Sequence, residues 1–177
     1  MALRSIGGFT LVEVLVALFV LAVGIVGASA TQLATQRTRH HSALMSAAVQ
    51  LAASLADRMR ANPVVMAGAD GDNPYLQLRY DASGAPPATP VSCYGDAGCT
   101  PLQMAGFDLF EAAEAVRTGF PRGRIVVCRD AAIGDAAAAT LAWECASAPS
   151  APVVVKLGWR GNDSGAAPAP VVAMVVP

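Results

Sequence analysis

Apolar residues run almost unbroken from Leu11 to Ala34, and no charged residue stands between Val14 and Ala34. Those 21 residues would span about 31 Å as a helix, matching a bilayer hydrocarbon core of about 30 Å. Past Thr31 the pattern changes. Leu44, Ala48, Leu51, Ala52, Leu55 and Met59 recur at three- and four-residue intervals, which predicts a helix with one buried face. Gln36, Arg37, Arg39, Gln50, Asp57, Arg58 and Arg60 interrupt it, several on other faces. Asn62–Pro63 ends the pattern, because the residue before a proline avoids helical geometry.

From Val64 to Ala105 turn-forming residues dominate, in "AGADGDNP", "ASGAPPATP" and "YGDAG". "FDLFEAAEAVRTGFP" then predicts a short helix, with Asp108 as its N-cap and Glu111 completing a capping-box spacing. Leu109, Phe110, Ala113 and Val116 would form its apolar side, and Glu111 and Glu114 a solvated face. "GRIVVCR", "TLAWECA" and "PVVVKLGWR" read as strands, joined in part by the alanine-rich loop 131–139, and "VVAMVV" as a fourth. In the third, Val153, Val155, Leu157 and Trp159 share one face, with Lys156 and Arg160 on the other. Trp143 and Trp159 are expected in the core. The pattern predicts an α+β fold, a long N-terminal helix on a small antiparallel sheet.

Composition narrows the function classes. Hydrophobic residues make up 54% of 177 and charged residues 14%, well below the roughly 25% charged of a typical globular chain. The net charge is −1, so no basic surplus points to nucleic acid, and none is expected as a partner. Aromatic residues are only 6%, so the core must be modest. Four cysteines, Cys93, Cys99, Cys128 and Cys145, form no CxxC and suit disulfides in an oxidising compartment better than zinc. His40 and His41 are adjacent, so they point apart and read as helix surface rather than a metal pair. "DGDN" from Asp70 resembles the opening of a calcium loop, but Asp81 stands where a bidentate glutamate is needed. A plain turn is expected. No nucleophile, base or metal constellation is visible, so no catalytic residue, metal or cofactor is expected.

The remaining oddity is Glu13, a carboxylate at the head of the apolar run, preceded by Gly7 and Gly8. One reading is an ordinary secretory signal: Arg4 as charged start, the apolar centre, and Ala28–Ser29–Ala30 as cleavage site. That would release a periplasmic binding domain, but it leaves Glu13 and the helical pattern beyond Thr31 without a role. The other reading places a cut between Gly8 and Phe9, where glycines keep the backbone accessible. It would free an amine on Phe9, one helical turn from Glu13, near the positive end of the helix. An unpaired carboxylate in lipid costs on the order of 3 kcal/mol. Pairing with its own or a neighbour's amine would offset part of that and disfavour misaligned helices.

Residues 7–27, "GGFTLVEVLVALFVLAVGIVG", resemble the processing site and helix start of type IV pilins and of type II secretion pseudopilins. The resemblance implies cleavage after Gly8 and methylation of Phe9 by a prepilin peptidase, with Glu13 as the assembly glutamate. It implies a leader of residues 1–8, a transmembrane and filament-core segment 9–34, an amphipathic continuation 35–62 and a periplasmic or extracellular head 63–177. The mature helix would hold about 53 residues over about 80 Å. "LADRMRANP", then a cysteine pair, "FDLFEAAEAV", "FPRGRIVV" and "LGWRG" are similar to minor pilins of the PilV type, the type IV pilus modification proteins. Where that pattern implies a tryptophan, Ala112 and Ala113 stand.

By that resemblance the subunit waits in the inner membrane as a single-pass protein among lipid, then enters a filament. Its partners would be other minor pilins, the major pilin and inner-membrane assembly proteins. A type II secretion pseudopilin remains an alternative. The cysteines would be structural bridges. Of three connectivities, Cys93–Cys99 and Cys128–Cys145 are expected, the first closing a turn and the second linking neighbouring strands. Chain-entropy arithmetic gives roughly 2.4 and 3.2 kcal/mol, support that a small head needs.

Overall fold

A computed structural model describes residues 10–95, 98–135, 140–148, 150–160 and 169–176. The leader, Gly8, Phe9, most of the alanine-rich stretch 136–139 and Gly161 lie outside the described residues. The chain divides into two compact units, residues 1–42 and 43–177.

A single helix, α1 (Leu11–Ala61), contributes to both. In the first unit, every described side chain of α1 is exposed, including Leu11, Leu15 and Phe19. In the second, Ala48, Ala52, Leu55 and Met59 are buried, and Leu44 and Leu51 pack partly against the core. The periodicity therefore marks the buried stripe. The helix stops where Asn62 adopts φ −116° and ψ 63° before Pro63.

A single turn, α2 (Pro63–Met66), and a 3-10 turn (Pro74–Gln77) follow. Next come β1 (Arg79–Asp81), α3 (Pro101–Gly119), β2 (Arg124–Arg129), β3 (Gly134–Asp135), β4 (Thr140–Leu141), β5 (Val153–Gly158) and β6 (Val172–Val176). The main sheet has the order β1-β2-β5-β6, antiparallel throughout, with Val127 opposite Val155 and Val155 opposite Met174. Ile125, Val127, Val153, Val155, Leu157 and Trp159 meet Ala52, Leu55, Met59, Ala112 and Val116 in one core. Ala112 and Ala113 are buried; small side chains there let α3 lie close to its neighbours. The architecture is α+β: the second half of a long helix packed on a small antiparallel sheet, with two disulfides.

Three expectations need correction. First, α3 begins at Pro101, not at Asp108. Thr100 is the N-cap, its hydroxyl accepting from the Gln103 N–H while the Gln103 side chain accepts from the Thr100 N–H. Proline at the first helical position completes a start signal that outcompetes Asp108, which sits mid-helix and buried. The helix is then rotated so that Ala105, Asp108, Ala112 and Val116 face inward, and Leu109 and Phe110 are only half-buried.

Second, "TLAWECA" is not a core strand. Only Thr140 and Leu141 pair, with Asp135 and Gly134; residues 142–146 are irregular. β1, which carried no strand pattern, occupies the sheet position beside β2 instead.

Third, Lys156 does not face solvent. Every residue of β5 is buried, Lys156 completely. Its ammonium donates to the carbonyls of Ala142 and Glu144, both at 2.7 Å, so the irregular segment roofs the outer face of the sheet. Cys128 on β2 holds that segment through Cys145. The Arg124 guanidinium lies 4.5 Å from the Trp143 ring centroid, and Trp143 is half-buried in this roof, whereas Trp159 is in the core beside Phe120.

Candidate functional site

Thr10 opens α1. Its hydroxyl accepts the Glu13 N–H at 3.3 Å, and its carbonyl accepts the Val14 N–H at 3.3 Å. Thr-x-x-Glu is the spacing of a capping box, so the sequence itself carries the start signal of α1. The cap fixes Glu13 in the first turn, where the helix dipole favours negative charge. Around it Leu11, Val12, Val14, Leu15 and Val16 are all exposed. The next charged residue along the chain is Arg37. This end of the molecule therefore offers an apolar surface bearing one carboxylate. The residues Gly8 and Phe9 lie outside the described residues, so no geometry joins them to Glu13. In length and composition, α1 qualifies to cross a membrane.

A second set of functional-looking groups sits in the head. Asp108 on α3 accepts from the Tyr75 hydroxyl at 2.6 Å and from Arg58 of α1 at 2.9 Å. Asn62 donates to the Pro101 carbonyl at 2.7 Å and more weakly to the Tyr75 oxygen. Glu111 receives Arg58 and the Tyr94 hydroxyl. Burial, and then the bond to Asp108, raises the Tyr75 phenol above its ordinary value. Burial works against ionisation of Glu111, but Tyr94 and Arg58 outweigh it and hold its carboxyl below the usual range. Glu111 is thus a tie between elements rather than part of a solvated face; Glu114, which pairs with Arg117, does lie at the surface. The network joins the end of α1 to α3 and the 3-10 turn. Its acids already have cationic or phenolic partners, so it reads as a structural clasp and not as an acid–base pair.

The disulfides Cys93–Cys99 and Cys128–Cys145 have Cα separations of 5.8 and 6.4 Å. Cys145 lies in the irregular roof, so the second bridge ties roof to strand rather than strand to strand. Asp70 of "DGDN" is paired with Arg129 at 2.7 Å. Among the described residues no three His, Cys, Asp or Glu side chains converge as a metal site. His40 and His41 are exposed on α1.

A family model described as the prokaryotic N-terminal methylation motif matches residues 3–29. The matched stretch contains Gly8, Phe9, Thr10 and Glu13 and most of the exposed apolar helix. It indicates a type IV pilin- or pseudopilin-like protein, which implies processing by a prepilin peptidase and assembly with pilus machinery. A structural rather than enzymatic protein is what such a motif suggests. No curated protein and no solved structure matches the chain.

Proposed function

We propose that the protein is a minor pilin of the type IV pilus, of the PilV kind, which assists initiation or assembly and enters the filament through α1. The observation that carries this is the methylation motif set on a helix whose apolar side chains find no cover within their own unit. Such a surface needs lipid or other helices. In the membrane, lipid surrounds it; in a filament, helices of neighbouring subunits replace lipid, so transfer exposes little apolar area to water. Cleavage after Gly8 would free an amine on Phe9, which methylation would then modify, as a partner for Glu13. Other minor pilins, the major pilin and inner-membrane assembly proteins are the partners this implies, with the head in the periplasm before assembly. The helix-end and strand motifs similar to PilV favour the pilus over a type II secretion pseudopilus.

Mass spectrometry of the mature N-terminus tests the first step. Methylated Phe9 is expected, and a chain beginning at Thr31 would exclude the proposal in favour of a secreted binding domain. Co-purification tests the second: retention with pilus minor pilins is expected, and retention with secretion pseudopilins would assign the other system.

A further inference from the structure

We propose that Arg37, Arg39, His40 and His41 form a collar that engages the phosphates of anionic phospholipids where α1 leaves the bilayer. This rests on the membrane-anchored reading above.

Charge comes first. Between Glu13 and Asp57 the sequence holds no acidic residue, and Arg37 and Arg39 are its only lysines or arginines. All four collar residues are exposed on α1, and neither arginine has an ion-pair partner among the described residues. A guanidinium donates in a fork that matches phosphate oxygens, and the adjoining imidazoles add N–H donors.

Depth comes second. The apolar run ends at Ala34. At about 1.5 Å per residue, positions 37 to 41 lie about 4.5 to 10 Å further along the axis. The headgroup layer occupies roughly 5 to 7 Å beyond the hydrocarbon edge, so Arg37 and Arg39 lie at its depth, with long stems that can adjust, and the two histidines lie just outside it.

Direction separates a lipid from a protein partner. At about 100° per residue, Arg37, His40 and His41 share one side of the helix and Arg39 points to the other. Guanidinium groups on opposite sides of a rod suit a surface that encircles it, whereas a single docked protein would meet one side.

The test uses the full-length protein in vesicles of neutral phosphatidylcholine and in mixed vesicles containing phosphatidylglycerol. After mild detergent release, co-retained lipids are quantified by mass spectrometry. Enrichment of phosphatidylglycerol over its share in the vesicle is expected, falling about fivefold for each arginine removed in Arg37→Gln and Arg39→Gln. Arg60→Gln, in the last turn of α1, should keep the enrichment. Excess inorganic phosphate at matched ionic strength should leave it in place. Enrichment that survives the double substitution, falls equally with Arg60→Gln, or is displaced by free phosphate would overturn the collar. Failure to associate even with neutral vesicles would overturn the anchored reading and the collar with it.

Discussion

Lys156 Nζ lies 2.5 Å from Asp130 Oδ2, and neither side chain has any exposed surface. The ammonium also donates to two roof carbonyls, and the other carboxylate oxygen accepts the N–H groups of Ala132 and Ala146 at 3.0 and 2.9 Å. Both charges are therefore paired and hydrogen-bonded, the condition under which burial of an ion pair is tolerable.

Removing one partner leaves the other charge buried alone. Lys156→Met is expected to destabilise the protein by about 3 to 5 kcal/mol. The double variant Lys156→Met/Asp130→Asn should recover part of that loss. Denaturant unfolding followed by tryptophan fluorescence checks both, and equal loss in the single and double variants would show that the pair is not the source.

The same pair sets a pH dependence. Burial works against ionisation of Asp130, but the Lys156 ammonium and the two backbone N–H groups outweigh it and hold its carboxyl below the usual range. A depressed native value contributes stability in full above the unfolded value of about 3.9. That contribution is lost as pH falls through the native value. Acid unfolding should thus flatten in Asp130→Asn relative to wild type, measured by thermal melting below about pH 4.

Tyr75 predicts the opposite sign. Its phenol is raised by burial and by Asp108. The neutral form's contribution is complete below the ordinary tyrosine value of about 10 and is lost as pH rises through the raised native value. An absorbance titration should show a late phenolate component that is missing in Tyr75→Phe. The substitution should also cost about 1 to 3 kcal/mol, because buried Asp108 loses a donor.

How much of this was legible follows from where each signal resides. The burial of Ala48, Ala52, Leu55 and Met59 was readable because one helix face repeats within a local window. The C-terminal end of α1 was readable from Asn62–Pro63, and the strands β2, β5 and β6 from short apolar or alternating runs. The start of α3 was legible in principle, since Thr100, Pro101 and Gln103 spell a capping box, but the surrounding turn residues hid it. The burial of Lys156 was not legible. Its cover is made of backbone carbonyls from residues 142–146, and those carry no side-chain pattern. Nor could the sequence show that Arg58, 50 residues from Asp108 along the chain, would bond to it. At the N-terminal end, the motif was legible in residues 7–13, whereas the pairing proposed for Glu13 would involve Phe9 or a neighbouring subunit, both outside the described residues.

Glu13 is expected to act after processing. Glu13→Ala should still lose its leader but should incorporate poorly into filaments. Immunoblots of sheared pili against membrane fractions read this directly, and normal incorporation would exclude the pairing role.

The two bridges should differ in consequence. Replacing Cys93 and Cys99 by serine removes roughly 2.4 kcal/mol of chain-entropy stabilisation. Replacing Cys128 and Cys145 removes roughly 3.2 kcal/mol by the same arithmetic, and it also loosens the roof that solvates Lys156. The second loss is expected to exceed the first by well more than the difference between those two figures, measured by the shift in unfolding midpoint.

That roof has a consequence for when the head matures. Its carbonyls hang from Cys145, so the lysine beneath is sealed only once two thiols have surrendered their electrons. On the reducing side of the membrane the sheet would keep a cation under an untethered flap. If the head is exported, as the proposed pilin role requires, oxidation on the far side would complete this cover.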